Sequence, residues 1–221
     1  MELDIEEELK PYEEVYGELR VIHGEIIASG VSLEDFLEGY EGQHVEWVDG
    51  EVVQMPGIDI KHTRLMRFLS TLIQLLLDAT TGGEVLQDPM LMVVEGSSRA
   101  PDIQVLLPHS AHKYHHKKVN GAADLVVEIV STGSQITDRV DKLKEYERGG
   151  VPEYWIVDHE FEEALFFQRN SKGKFVRVAP DENGIYTSAV LPQLRLPVKI
   201  LWQETLPTIR ETLAMVEGML A

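Results

Sequence analysis

The sequence contains no cysteine, which excludes disulfide bonds, thiolate nucleophiles and zinc sites with cysteine ligands. It also lacks any run of the roughly 18 apolar residues that a membrane-spanning helix requires. Residues 1–10 are acidic, whereas a secretory signal starts with basic and then apolar residues. We therefore expect a soluble, cytoplasmic protein whose chemistry depends on carboxylates, histidines and lysines.

Positive charge is scarce in the first 60 residues, which hold 17 acidic residues against two basic ones, Lys10 and Arg20. They account for a charge of −15 out of the net −18 of the 221-residue chain. Such an excess disfavours nucleic acid as a partner, because phosphate binding rests on clustered lysine and arginine. The rest of the chain is nearly neutral, however, and residues 109–118 are rich in lysine and histidine. Net charge therefore does not exclude DNA.

Hydrophobic periodicity predicts the secondary structure. Apolar residues at helical spacing indicate a long helix over 59–79 and a second helix over 137–148. Two alternating runs over 44–55 flank Asp49-Gly50, which is typical of a tight hairpin turn. A short helix is predicted over 32–39. The remaining predictions are strands at 84–87, 90–94, 103–107, 125–130, 153–158, 164–168, 174–178 and 185–187, and a final helix at 204–218.

This order of elements predicts an α/β (α+β) fold with a mixed central sheet flanked by helices and with antiparallel C-terminal strands. Residues 31–221 are expected to form this domain. Residues 1–30, with a candidate strand at 18–27, are expected to form an acidic N-terminal appendage.

Glu128 is the most informative residue for function. Apart from Glu128, both faces of the run 125–130 are apolar, so the carboxylate is expected to be buried. A buried carboxylate is costly unless it is paired, protonated or bound to a cation. Asp102 directly precedes the predicted strand 103–107. If this strand lies beside 125–130, the two carboxylates can converge and hold Mg²⁺ or Mn²⁺, which prefer oxygen ligands. The expected positive partner is Lys142 or Lys144 on the following helix.

The chain also carries a series of spaced motifs: Asp49-Gly50-Glu51, Met55, His62, Pro101-Asp102, Glu128-Ile129-Val130-Ser131, Asp138, Lys142, Tyr146 and Gly150-Val151-Pro152-Glu153-Tyr154-Trp155-Ile156-Val157-Asp158. Together they resemble the bacterial "putative restriction endonuclease" family of the PD-(D/E)XK nuclease superfamily. The resemblance covers about residues 32–200 and is most specific over 124–158. It implies a restriction-endonuclease-like core and a Mg²⁺-dependent endonuclease that hydrolyses phosphodiester bonds in DNA.

The resemblance also implies roles for individual residues. Asp102 matches the acid of the first superfamily motif and Glu128 the acid of the second, so both are expected to hold the metal. The usual lysine, two residues after the second acid, is replaced by Val130. Lys142 matches the helix position where this family carries a lysine instead, and Lys144 is the alternative. The helix that often adds a further acid in the superfamily offers none in its interior.

Glu51 and His62 are the available substitutes for that acid and are expected to assist catalysis. Since cutting both strands of a duplex calls for two sites, a symmetric homodimer is expected as well.

Other interpretations remain open from the sequence. Glu128 and Lys142 can form a buried salt bridge in a catalytically inactive nuclease fold that serves as a binding or assembly module. A metal-dependent hydrolase of small phosphoesters is a third reading. Glu51 can be a cross-strand surface residue, and His62 a helix residue with one hydrogen bond. The histidines at 109–116 fit a solvated or phosphate-contacting loop better than a metal site.

Overall fold

The computed structural model describes residues 3–4, 24–130 and 137–221. Most of the predicted appendage and residues 18–23 of its candidate strand lie outside the described residues, as does Ser131, and the domain boundary at residue 30 stays a prediction. Along the chain the described elements are β1 (Leu3–Asp4), β2 (Glu25–Ser29), α1 (Leu33–Gly39), β3 (Val45–Val48), β4 (Glu51–Gln54), α2 (Ile60–Ala79), β5 (Glu84–Gln87), β6 (Leu91–Val94), β7 (Ser97–Arg99), β8 (Ile103–Leu106), β9 (Tyr114–His115), β10 (Lys118–Asn120), β11 (Leu125–Val130), α3 (Lys142–Gly149), β12 (Glu153–Asp158), β13 (Glu163–Arg169), β14 (Phe175–Arg177), β15 (Ile185–Thr187), β16 (Arg195–Pro197) and α4 (Ile209–Leu220).

The first sheet has the strand order β1-β14-β13-β12-β11-β8-β5 within the described part of the chain. Strands β11 and β12 are parallel and central, and their neighbours β8 and β13 run antiparallel to them. All residues of β11 and β12 are buried, as expected for strands that are apolar on both faces. One face packs against α2 and the other against α3. Glu128 shares its face with Val126 and Val130, which is the face toward α3.

A second sheet has the order β2-β4-β3-β7-β6-β10-β9 in the described residues, and β15 pairs with β16 separately. The fold class is confirmed, with mixed sheets flanked by helices, but the sequence predicted a single central sheet. Strands β7 and β10 were not predicted because they are three residues long and mostly polar. Their pairing depends on neighbours distant in sequence, which hydrophobic periodicity does not reveal.

Helix α3 contacts both sheets. Leu143 and Tyr146 pack in one cluster with Val126 of the first sheet and Met92 and Val94 of the second. At the end of the helix, a Cβ added to Gly149 would lie 2.9 Å from two carbon atoms of Val94. This close approach requires glycine and holds α3 against β6.

The predicted helices are found with shifted boundaries. Helix α2 begins after Asp59, whose carboxylate accepts a hydrogen bond from the His62 backbone nitrogen at 2.8 Å. A single π-helical turn, Thr137–Asp141, precedes α3. Helix α4 begins later than predicted, after a capping box formed by Thr208 and Glu211. Within the described ranges, the model contains no helix whose length and apolar character would suit a membrane crossing.

Candidate active site

Glu128 lies buried at the centre of the candidate active site, with 3% of its surface exposed. Its Oε2 is 2.9 Å from the Lys142 ammonium, and its Oε1 accepts a hydrogen bond from the Tyr146 hydroxyl at 2.7 Å. Lys142 and Tyr146 are one turn apart on α3, so both side chains reach the same strand. Lys144, the alternative lysine, is exposed. The buried carboxylate and a lysine from the following helix are therefore in direct contact.

Tyr146 is held in its neutral form. Burial, and then the negative charge of Glu128, raise the pKa of its hydroxyl well above the usual range. A neutral hydroxyl can donate to the Glu128 carboxylate, which is the hydrogen bond observed. Tyr146 thus fixes one carboxylate oxygen while Lys142 faces the other.

Asp102 lies beside Glu128 at the edge of β8. Its Oδ2 accepts a hydrogen bond at 2.6 Å from the backbone nitrogen of Ile129, in the peptide that follows Glu128. The antiparallel register pairs Ile103 with Val127, which brings Asp102 toward Glu128 on the neighbouring strand. The Oδ1 of Asp102 is 2.8 Å from Nε2 of the buried His62. The structure therefore joins His62 to Asp102 and Asp102 to the strand of Glu128.

Glu51 occupies the first position of β4, directly after the Asp49-Gly50 turn, and is partly buried. It lies opposite Val48 on β3 and Ser29 on β2. This is the cross-strand position named among the alternatives. Its assistance in catalysis stays a prediction.

A buried charge network that the sequence analysis did not identify lies next to Lys142. The Arg99 guanidinium donates from Nε and Nη2 to both oxygens of Glu145, at 2.8 and 2.7 Å. It also donates from Nη1 to Glu46 at 2.8 Å, and Glu46 accepts from the Ala100 backbone nitrogen at 3.1 Å. The network ties α3, and with it Lys142, to strands β3 and β7. One sequence signal existed, since Glu46 interrupts an apolar run of the predicted hairpin.

Glu46 remains ionised within this network. Burial acts to raise its pKa, but the positive charges of Lys142 and Arg99, together with the hydrogen bonds it accepts, hold the pKa below its usual value. Glu46 therefore adds a second negative charge to the surroundings of Lys142.

Asp88 is a further acid near the site, and it had no sequence signal beyond an Asp-Pro turn. Its Oδ2 lies 3.2 Å from Nε2 of His44. Burial is the main cause that raises the pKa of Asp88, and the negative charges of Asp102 and Glu46 add to it. The charge of His44, which is the second-largest influence, and that of Lys142 act in the opposite direction. The strand register brings the two acids near each other, because Gln87, which precedes Asp88, pairs with Ile103, which follows Asp102.

Asp102 and Glu128 supply oxygen donors, the ligand type that a hard divalent cation prefers. Asp102 and Glu128 each present carboxylate oxygens, and an oxygen that accepts one hydrogen bond keeps a lone pair for a metal. Over residues 24–130 and 137–221 no three histidines or acids are grouped in a way that could hold a metal ion. An ion held by two carboxylates and several waters matches the preference of Mg²⁺.

The histidines at 109–116, all within the described part of the chain, do not belong to a group of three or more side chains that could hold a metal ion. His109 lies 3.2 Å from Asp124, and Nδ1 of His112 lies 3.0 Å from the backbone oxygen of His109. His115 and His116 form an edge-to-face ring pair at 4.6 Å. The four histidines are exposed and lie along a 3₁₀ helix (Pro108–Lys113), β9 and the turn after it.

The run 150–158, which lies within the most specific part of the resemblance, has a structural role. Glu153 is fully buried, and its Oε1 accepts hydrogen bonds from the Trp155 indole and the Tyr186 hydroxyl at 2.7 and 2.8 Å. Its Oε2 accepts three more from residues 188–190, at 2.8 to 2.9 Å. Glu153 thereby anchors the C-terminal part of the chain to the first sheet.

The fold and the sequence were compared with known proteins. A crystal structure from Anabaena variabilis ATCC 29413, described as "a putative nuclease belonging to DUF820", superposes with a TM-score of 0.65 at 16% sequence identity, covering 78% of this chain and 97% of that chain. At this identity the likeness establishes the fold. No curated protein sequence matches the chain significantly. The family model Uma2, described as "Putative restriction endonuclease", matches residues 33–199, about three quarters of the chain. The chain therefore belongs to this restriction endonuclease family.

Proposed function

We propose that the chain is a nuclease of the PD-(D/E)XK type that hydrolyses phosphodiester bonds in DNA with Mg²⁺ or Mn²⁺. The observation that carries the proposal is the buried Glu128 carboxylate, contacted by Lys142 at 2.9 Å and flanked by Asp102. Membership of a family described as restriction endonucleases supports the same activity.

In this proposal Asp102 and Glu128 hold the metal. A divalent ion bound there would polarise the phosphodiester and generate a nucleophilic hydroxide at neutral pH. Lys142 would orient the attacking water and offset the negative charge that develops on the phosphate in the transition state. His62 keeps Asp102 oriented, and Tyr146 keeps Glu128 oriented, through the hydrogen bonds described above.

Two neighbouring lysines on α3 make a matched test. Lys142→Ala should reduce Mg²⁺-dependent DNA hydrolysis by at least about 100-fold, the loss that follows removal of a group stabilising transition-state charge. Lys144→Ala, two residues away and exposed, should stay within a few-fold of the wild type. If Lys144→Ala lost activity and Lys142→Ala kept it, the catalytic lysine would be Lys144 and the proposed site would be refuted. If Glu128→Gln hydrolysed DNA as fast as the wild type, the nuclease proposal for these residues would be refuted.

The proposal extends to a symmetric homodimer, since two copies would present two sites to the two strands of a duplex. Analytical ultracentrifugation with and without a DNA duplex measures this. A monomer in both conditions would contradict the dimer without affecting the site.

A second candidate function is a catalytically inactive binding module. The contact between Lys142 and Glu128 favours it, because an ion pair already neutralises the buried carboxylate without a metal. Calorimetric titration with Mn²⁺ separates the two functions. A nuclease should bind the ion in the wild type and lose that binding in Asp102→Asn. A binding module should show no Mn²⁺ binding in either the wild type or Asp102→Asn.

A further inference from the structure

A groove with a cavity volume of about 480 Å³ opens beside the candidate active site. It lies between the end of α1 and the turn that joins β9 to β10, and its floor includes Gln87, Pro89 and Met90. Gln87 pairs across the sheet with Ile103 of β8, the residue that directly follows Asp102. One end of the groove therefore adjoins the proposed metal site.

The groove floor is coupled to the strand that carries Asp102. The Gln104 side chain, fully buried on β8, donates a hydrogen bond at 2.6 Å to the backbone oxygen of Met90. Gln104 lies two residues from Asp102 along the chain. This bond fixes the floor relative to the site.

The interior of the groove is apolar and aromatic. Phe36 and Tyr40 stack with ring centroids 5.7 Å apart and an angle of 23° between the rings, and Tyr40 remains partly exposed in the groove. Met90 and Leu91 add further apolar surface to the lining. An aromatic ring in an open apolar groove is the surface on which an unpaired base stacks.

The two rims carry opposite charge. One rim is the hairpin turn where His115 pairs with Lys118, which places His115, His116, Lys117 and Lys118 together along the groove. The other rim contains Glu41. A basic rim attracts one phosphate backbone, while the acidic rim repels a second one. The groove therefore suits one strand of nucleic acid and disfavours a duplex.

Lys117 and Glu41 form an ion pair between the two rims. Both side chains are more than half exposed, so the pair is worth little on its own and is open to competition. A phosphate approaching Lys117 can replace the Glu41 carboxylate.

We propose that this groove binds a nucleotide of single-stranded DNA next to the scissile phosphate. Its base stacks on Tyr40 and its phosphate contacts Lys117 and Lys118. The inference rests on the proposed nuclease function and narrows the substrate class to DNA with a single-stranded segment.

Fluorescence anisotropy without divalent metal tests the groove independently of catalysis. The probes are a labelled 12-nucleotide single strand and the duplex of the same sequence. The wild type should bind the single strand at least about tenfold more tightly than the duplex. Lys117→Ala combined with Lys118→Ala should weaken single-strand binding about tenfold or more and reduce the salt slope by about 1.4, the value for two phosphate contacts. The exposed Lys172→Ala, outside the groove, is the matched control.

Tyr40 and Glu41 give two further readouts. Tyr40→Ala should weaken single-strand binding about tenfold through loss of one stack, whereas Tyr40→Phe should keep it. Glu41→Gln should strengthen binding several-fold, because it removes the competitor for Lys117. Groove variants that bind the single strand like Lys172→Ala, or a wild type that binds duplex equally well, would overturn the inference.

The same variants separate the two proposals. If the wild type cleaves DNA and the groove variants bind and cleave equally well, the groove inference fails and the nuclease proposal stands. If no DNA is cleaved by the wild type but the binding pattern is the one expected, the nuclease proposal fails and the groove is a single-strand binding site.

Discussion

Replacing Arg99 with methionine should destabilise the protein more than any single surface change. The Arg99 side chain is 6% exposed, and its partners Glu46 and Glu145 are 1% and 10% exposed. The substitution removes three hydrogen bonds between charged groups and leaves two buried carboxylates without their cation. Breaking one buried ion pair costs about 3–5 kcal/mol, so we expect a loss in this range, a large share of the 5–15 kcal/mol stability of an ordinary domain.

Urea unfolding followed by circular dichroism measures the effect. With a slope near 3 kcal/mol per molar, the midpoint of Arg99→Met should fall by about 1–2 M. Adding Glu145→Gln to Arg99→Met should cost less than the sum of the two single changes, because the second change removes one of the stranded charges. A midpoint within about 0.3 M of the wild type would refute the reasoning, since it corresponds to less than about 1 kcal/mol.

Three further predictions follow from single residues. Glu153→Gln places an amide group where five donors converge and should cost at least about 3 kcal/mol in urea unfolding; a loss below 1 kcal/mol would contradict its anchoring role. Gly149→Ala should destabilise by about 1–3 kcal/mol by crowding Val94, and Val94→Ala in the same chain should recover part of that loss in the same assay. Asp88 has a raised pKa, so its contribution to folding is favourable at low pH and is lost as pH rises through the folded pKa. Asp88→Asn should therefore raise the melting temperature at pH 7 and leave it unchanged near pH 3; a lower melting temperature at pH 7 would contradict the direction of the shift.

Several features could be predicted from local sequence. The strand 125–130, the helix over 59–79 and the hairpin around Asp49-Gly50 were recognisable because each has a strong period or turn signal within about 20 residues. The pairing of a buried Glu128 with a helix lysine followed from the cost of burying a charge, and the contact with Lys142 agrees with it.

The choice between Lys142 and Lys144 depended on the rotation of α3, which the packing of Leu143 and Tyr146 sets. The family resemblance favoured Lys142, and the tertiary structure shows that Lys142 is the lysine in contact with Glu128. The Glu46, Arg99 and Glu145 network joins residues 46 to 53 positions apart, and no local pattern encodes such a contact. The same holds for the groove, whose rims come from α1 and from the β9–β10 turn.

The sequence by itself determined the family and the fold class, because motifs and short periods are local properties. The tertiary structure decided which charges meet, because that depends on how strands far apart in sequence pair within two sheets.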